Sequence, residues 1–172
     1  MKSHLFILLL ILSALDASIA QRTILPSETL TISGKVKMTR HFSLADLAAL
    51  PTVAIPDQVI YNQEGVAKDT LIHLRGVALK SILAAAELVY DKPKQLNTYY
   101  YVMTATDGYT VVFSWNEIFN TVAGDQFYII TEMKGKPLVE MEQRIAFIST
   151  ADVKAGRRYI KALETIDIRA VE

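Results

Sequence analysis

Two runs of β-branched and aromatic residues, Tyr99-Tyr100-Tyr101-Val102-Met103-Thr104-Ala105 and Tyr109-Thr110-Val111-Val112-Phe113, flank Thr106-Asp107-Gly108. No feature constrains the fold more. An Asp-Gly pair accepts the positive φ of a tight turn, so the two runs pair antiparallel and the chain must carry a sheet. Alternation makes the tyrosine run half core and half surface, although three adjacent rings could also stack on a ring ligand.

The remaining pattern mixes short helices with strands. Thr29 to Val36 alternates as a half-buried strand with a break at Gly34. Ser43-Leu44-Ala45-Asp46 opens a helix over Leu44 to Leu50 that Pro51 closes. Residues 51–66 are rich in turn formers and read as irregular, and Thr70 to Leu74 reads as a short strand. Leu79, Ile82, Leu83 and Ala86 fall on one face of a helix expected over Val77 to Leu88 and lying against a sheet. Ser114-Trp115-Asn116-Glu117 is a second capping box, with a helix to Asn120. Phe127 to Thr131, Arg144 to Ser149 and Leu163 to Arg169 read as strands, and Gly135-Lys136-Pro137 as a turn. The expected class is α+β, a mixed sheet with few, short helices.

Composition removes several functions. The chain has no cysteine, hence no disulfide, zinc–thiolate site or cysteine nucleophile. Eighteen basic residues balance eighteen acidic ones, which leaves no electrostatic footprint for nucleic acid, and 51% hydrophobic residues exclude disorder. Lys2, the apolar run Leu5 to Leu12 and the small-residue site Ala17-Ser18-Ile19-Ala20 form a signal peptide over residues 1–20, cut after Ala20. Its uncharged stretch is far shorter than the roughly 20 residues that span a membrane. Residues 21–172 then form one domain, periplasmic or secreted, with no membrane span. The lack of Asn-x-Ser/Thr sites fits a bacterial periplasm.

Few residues carry chemistry on their own. His41 and His73 have no second histidine at metal-ligand spacing, and His73 reads as an ordinary strand residue facing away from Ile72 and Leu74. Asp107 is a turn former, or an acid at a cleft edge. Gly156-Arg157-Arg158-Tyr159-Ile160-Lys161 concentrates positive charge beside a glycine, as an anion site does and as a solvated loop also can.

Several segments, in order, resemble the molybdopterin-binding domain of the sulfite oxidase family. Leu30-Thr31-Ile32-Ser33-Gly34-Lys35-Val36 and Phe42-Ser43-Leu44-Ala45-Asp46-Leu47-Ala48-Ala49-Leu50-Pro51 are similar to its opening strand and its short helix ending in Leu-Pro. Leu74-Arg75-Gly76-Val77-Ala78-Leu79 resembles its "Trp-x-Gly-Val-x-Leu" helix start, Asp107-Gly108-Tyr109 its hairpin, and Met133-Lys134-Gly135-Lys136-Pro137-Leu138 its "Met-Asn-Gly-x-Pro-Leu" turn. Gly156-Arg157-Arg158-Tyr159-Ile160-Lys161-Ala162-Leu163 is similar to "Gly-x-Arg-x-Val-Lys-x-Leu", which in the family touches the pterin and phosphate. The resemblance covers Leu30 to Ile168. It implies a sulfite oxidase-type fold with Arg158 and Lys161 as pterin-facing positives, Asp107 near the cleft and Arg144 as a remnant of the family's "Gly-x-Pro-x-Arg".

The chain also departs from that family. The cysteine that ligates molybdenum is missing, Leu74 replaces the tryptophan, and a soft thiolate is what holds and tunes such a metal. Folded, cofactor-loaded proteins leave the bacterial cytoplasm on twin-arginine signals, whereas this chain begins Met1-Lys2-Ser3-His4. The combined expectation is a degenerate, non-catalytic relative with no cofactor. Its former cleft is either empty or takes a small anionic or pterin-like ligand through Arg158, Lys161, Arg144 and Asp107. The alternatives are an envelope protein-interaction domain and a molybdopterin-dependent oxidoreductase with a non-cysteine ligand; the expectation leans against an enzyme.

Overall fold

The computed structural model describes residues 24–62 and 64–171, so the signal segment expected over residues 1–20 lies outside the described residues. Chain order begins with β1 (Thr29–Gly34), β2 (Arg40–Ser43), α1 (Leu44–Ala49), β3 (Val53–Ile55), β4 (Gln58–Tyr61), β5 (Ala67–Leu71), β6 (Leu74–Ala78) and α2 (Leu79–Ala84). It continues with β7 (Tyr99–Ala105), β8 (Thr110–Ser114), α3 (Trp115–Phe119), β9 (Phe127–Met133), β10 (Lys136–Pro137), β11 (Ala146–Ser149) and β12 (Leu163–Ala170).

One sheet has the order β2-β1-β12-β7-β8, in which β12 runs parallel to β1 and antiparallel to β7. A second has the order β10-β9-β6-β3, with β11 paired to β9 over Phe127 to Ile130. The β4–β5 hairpin is a separate two-stranded sheet. The architecture is α+β with mixed pairing, as the sequence pattern requires. Phe113 of the first sheet meets Phe127 and Phe147 of the second edge to face, each at 5.1 Å between centroids, and all three are fully buried. Each fully buried aromatic or large aliphatic side chain of this kind contributes roughly 1.5–3 kcal/mol.

The hairpin forms as the Asp-Gly pair dictates: Tyr101 pairs with Phe113 and Thr104 with Thr110 across the ladder. Tyr99 and Tyr101 are buried and Tyr100 is half-buried. Ser43 caps α1 in a full capping box with Asp46, whose carboxylate accepts the Ser43 N–H at 2.8 Å. Gly34 pairs with Ile168 at φ +92°, where a Cβ would lie 2.1 Å from the Ile168 carbonyl oxygen. The break in the β1 pattern is therefore a required close approach.

Several local expectations are corrected. Residues 51–66 contain β3 and β4, pairs too short to display a period, and β2 also escaped the pattern. The strand expected over Thr70 to Leu74 is two strands, β5 and β6, separated at His73, which takes a left-handed φ of 53°. His73 is thus a corner residue, and its N–H donates to the Asp57 carboxylate at 3.1 Å. Val77 and Ala78 belong to β6, paired with Ile129 and Tyr128, so α2 is shorter than expected, although Leu79, Ile82, Leu83 and Ala86 are buried as its periodicity requires. The β9–β10 turn is Lys134-Gly135 and not Gly135-Lys136-Pro137. Both of its residues have positive φ, which Pro137 could not adopt. The strand expected from Arg144 starts at Ala146, because Arg144 itself is left-handed at φ 58°.

Among the described residues no helix is long and apolar enough to cross a membrane.

Candidate functional site

The β7–β8 turn, β4 and the turn Ala155–Arg157 converge on one point. Asp107 accepts the Tyr109 N–H at 2.9 Å, which closes the hairpin turn. The Tyr109 hydroxyl then donates to the Arg157 carbonyl at 2.6 Å and ties the hairpin to the 155–157 turn. On the other side β4 crosses the same turn: a Cβ on Gly156 would sit 2.7 Å from the Tyr61 carbonyl oxygen and 3.1 Å from Ile60 Cγ2. Only glycine lets the backbones approach this closely.

These contacts leave a cavity of about 260 Å³ lined by Ile24, Ile60, Asp107, Tyr109, Gly156, Tyr159 and Lys161. Tyr159 is 7% exposed, and its hydroxyl pKa is pushed up to about 12, first by burial and then by the charge of Asp69. Lys161 Nζ lies 5.8 Å from the Tyr159 ring centroid, within cation–π range. Among the described residues Lys161 forms no ion pair with a carboxylate.

Of the four residues singled out in the sequence, the structure brings Asp107 and Lys161 together and leaves Arg158 and Arg144 outside the cavity lining. The guanidinium of Arg158 donates from Nε to Asp152 at 2.7 Å, from Nη2 to the same carboxylate and from Nη1 to Glu117. It also lies over the Phe113 ring, 4.5 Å from its centroid. Hydrogen bonds to Asp152, and then to Glu117, raise its already high pKa against the opposing effect of burial. Arg144 pairs with Glu28 beside the Ser27–Arg144 bridge that holds the segment before β1. Both arginines are spent inside the fold.

The second capping box is correspondingly incomplete. Ser114 Oγ accepts the Glu117 N–H at 3.0 Å, but the Glu117 carboxylate is turned to Arg158. Neither partner was visible in the sequence: Glu117 lies 41 positions from Arg158, and Asp152, six positions away, sits in an irregular loop whose residues follow no helical or strand period. Tyr109 and Tyr159 were also missed as cavity walls. Their one sequence signal was position, each adjoining a motif of the resemblance.

The fold is that of a molybdopterin-oxidoreductase-like domain. Among solved structures it is similar to the sulfane dehydrogenase SoxCD from Paracoccus pantotrophus, with a TM-score of 0.60 and 17% identity over 84% of this chain. The likeness supports a molybdopterin-oxidoreductase-like fold. It spans 39% of the SoxCD chain. No protein-family model matches the sequence, and no curated protein matches it.

Such a fold implies a molybdenum–pterin group, and the residues present do not fit one held as in the sulfite oxidase family. There is no thiolate donor in the chain, and among the described residues no three His, Asp or Glu side chains are grouped to hold a metal ion. The guanidinium aligned with the pterin contact is neutralised by two carboxylates of the chain itself.

Proposed function

We propose that this chain is an exported, non-catalytic domain of molybdopterin-oxidoreductase-like fold that binds a small anionic ligand in the Asp107–Lys161 cavity. One observation carries the reading. Lys161 borders a partly apolar cavity without a carboxylate bound to it among the described residues, while Arg158 and Arg144 are both engaged with Asp or Glu. Concave sites lined by aromatic side chains and a few polar groups are where small ligands bind. Export rests on the signal-like segment over residues 1–20, and the non-catalytic role on the missing thiolate ligand.

Titration calorimetry of the mature protein with pterin, nucleotide and oxyanion ligands tests the binding. Lys161→Ala is expected to weaken whatever binds by about tenfold or more, the loss of one charge-assisted contact. Equal binding by parent and variant would refute a role for Lys161. Elemental analysis of protein purified from its native envelope tests the non-catalytic part: stoichiometric molybdenum or tungsten would establish the oxidoreductase alternative instead.

A further inference from the structure

The five-stranded sheet ends on β8, whose outer side is open. Ala105 and Tyr109 occupy a hydrogen-bonded position at the hairpin end, the Ala105 N–H donating to the Tyr109 carbonyl at 2.9 Å. Bonded and non-bonded pairs alternate along an antiparallel ladder, so Val111 and Phe113 direct their backbone groups at β7, and Thr110, Val112 and Ser114 direct theirs away from it. All three are exposed, Val112 by 53%. The Ser114 carbonyl starts α3, which leaves the Ser114 N–H and both backbone groups of Thr110 and Val112 with no backbone partner among the described residues.

Sheet edges are normally guarded by charge, proline or a covering segment. β2 carries Arg40, β10 carries Lys136 and Pro137, β3 lies between Pro51 and Pro56, and β11 is covered by Ile160, which exchanges both hydrogen bonds with Phe147. Thr110-Val111-Val112-Phe113-Ser114 has neither charge nor proline.

We infer that β8 pairs antiparallel with the β8 of a second copy of this chain, about a two-fold axis at Val112, so that two five-stranded sheets become one continuous sheet. The strand is complementary to itself in this register. The two Val112 residues exchange N–H and C=O, and each Ser114 N–H meets the partner's Thr110 carbonyl. On the core side Val111 falls opposite the partner's Phe113. On the outer side Val102, paired with Val112 in the hairpin, extends the apolar row through the axis. This self-match favours a second copy over an unrelated extended segment, which could take the backbone bonds but not the valine row. Charge does not oppose it: basic and acidic residues are equal in number, and Lys2 and Asp16 both fall within residues 1–20, so the mature chain is neutral as well. The pairing makes no use of the Asp107–Lys161 cavity and is independent of the anion-binding reading.

Sedimentation equilibrium of the mature protein is expected to show a concentration-dependent dimer. Val112→Lys sets two ammoniums face to face on the axis, and Val112→Pro removes an N–H that no bond within the chain uses. Each should raise the dimer Kd at least tenfold with the circular dichroism spectrum unchanged, whereas Thr31→Lys, on the same face of the sheet but on β1, should leave the Kd as it is. Because the chain has no cysteine, Val112→Cys reports the register directly. Cα atoms across a bonded pair lie about 5.5 Å apart, within disulfide reach, so mild oxidation should link Val112→Cys into a dimer and leave Thr31→Cys monomeric. A parent that sediments as a monomer at every concentration would overturn the inference. So would a dimer as tight in Val112→Lys as in the parent, or equal cross-linking of the two cysteine variants, since either places the contact elsewhere.

Discussion

Arg158 shows how a side chain's chemical type can be read from a sequence while its use cannot. Its position in a glycine- and arginine-rich run pointed to an external anion, and the fold supplies two internal ones, Asp152 and Glu117. Asp152 is itself anchored by the Ser149 hydroxyl at 2.8 Å. Lys161, three residues on, lines the cavity beside the Tyr159 ring and forms no ion pair with a carboxylate among the described residues. Half of the candidate site was thus legible, namely the residues whose motif position coincides with the cavity. The other half depended on ion pairs, from six to more than a hundred positions apart, that no local pattern encodes. Tyr101 gives a test at this scale. It is fully buried with its hydroxyl bonded to no other group, and burial raises its pKa. An unpaired buried hydroxyl is unfavourable by about 1 kcal/mol or more, so Tyr101→Phe should stabilise the protein by about 1 kcal/mol in urea unfolding. A destabilised variant would mean that the hydroxyl has a partner.

Elements with strong local signals formed where expected: the Asp-Gly hairpin, the Ser43-capped helix α1, the alternating strands β1 and β12, and the buried strand β9. Those that escaped are short and paired to distant segments. β3 and β4 have three and four residues, at most two periods of alternation, so their strand character comes from β6 and β5 rather than from their own composition. The β4–β5 hairpin belongs to neither main sheet and is fastened from outside, by Gly156 against Tyr61 and by Asp69 of β5 to Lys134 of the β9–β10 turn. That ion pair has a definite pH signature. The hydrogen bond from Lys134 holds the Asp69 carboxyl below its ordinary pKa. Its contribution is therefore fully present above the unfolded value of about 4 and is lost as pH falls through the lower folded value. Both partners are about half exposed, which limits the effect to about 0.5 kcal/mol. Asp69→Asn should lower the melting temperature slightly at pH 7, and the gap from the parent should close on acidification below about pH 4. A gap that widens towards acid would contradict the assignment.

At the scale of the whole molecule, the sheet order β2-β1-β12-β7-β8 places the last strand between the first and the seventh. β12 contributes Leu163, Ile166 and Ile168 to the core, all essentially buried, and accepts Gly34 against its backbone. A chain ending at Lys161 would leave β1 and β7 without a common neighbour. It should show no cooperative thermal transition and little near-ultraviolet circular dichroism, whereas a sharp transition in that truncated chain would show that β1 and β7 are held together some other way. Pairings over such sequence separations also form slowly, since loop closure precedes the reward of contact. The central place of β12 therefore acts as a clock on folding. Until residues 163–170 have left the ribosome, the sheet β2-β1-β12-β7-β8 cannot be completed, and β1 and β7 wait for the strand that joins them.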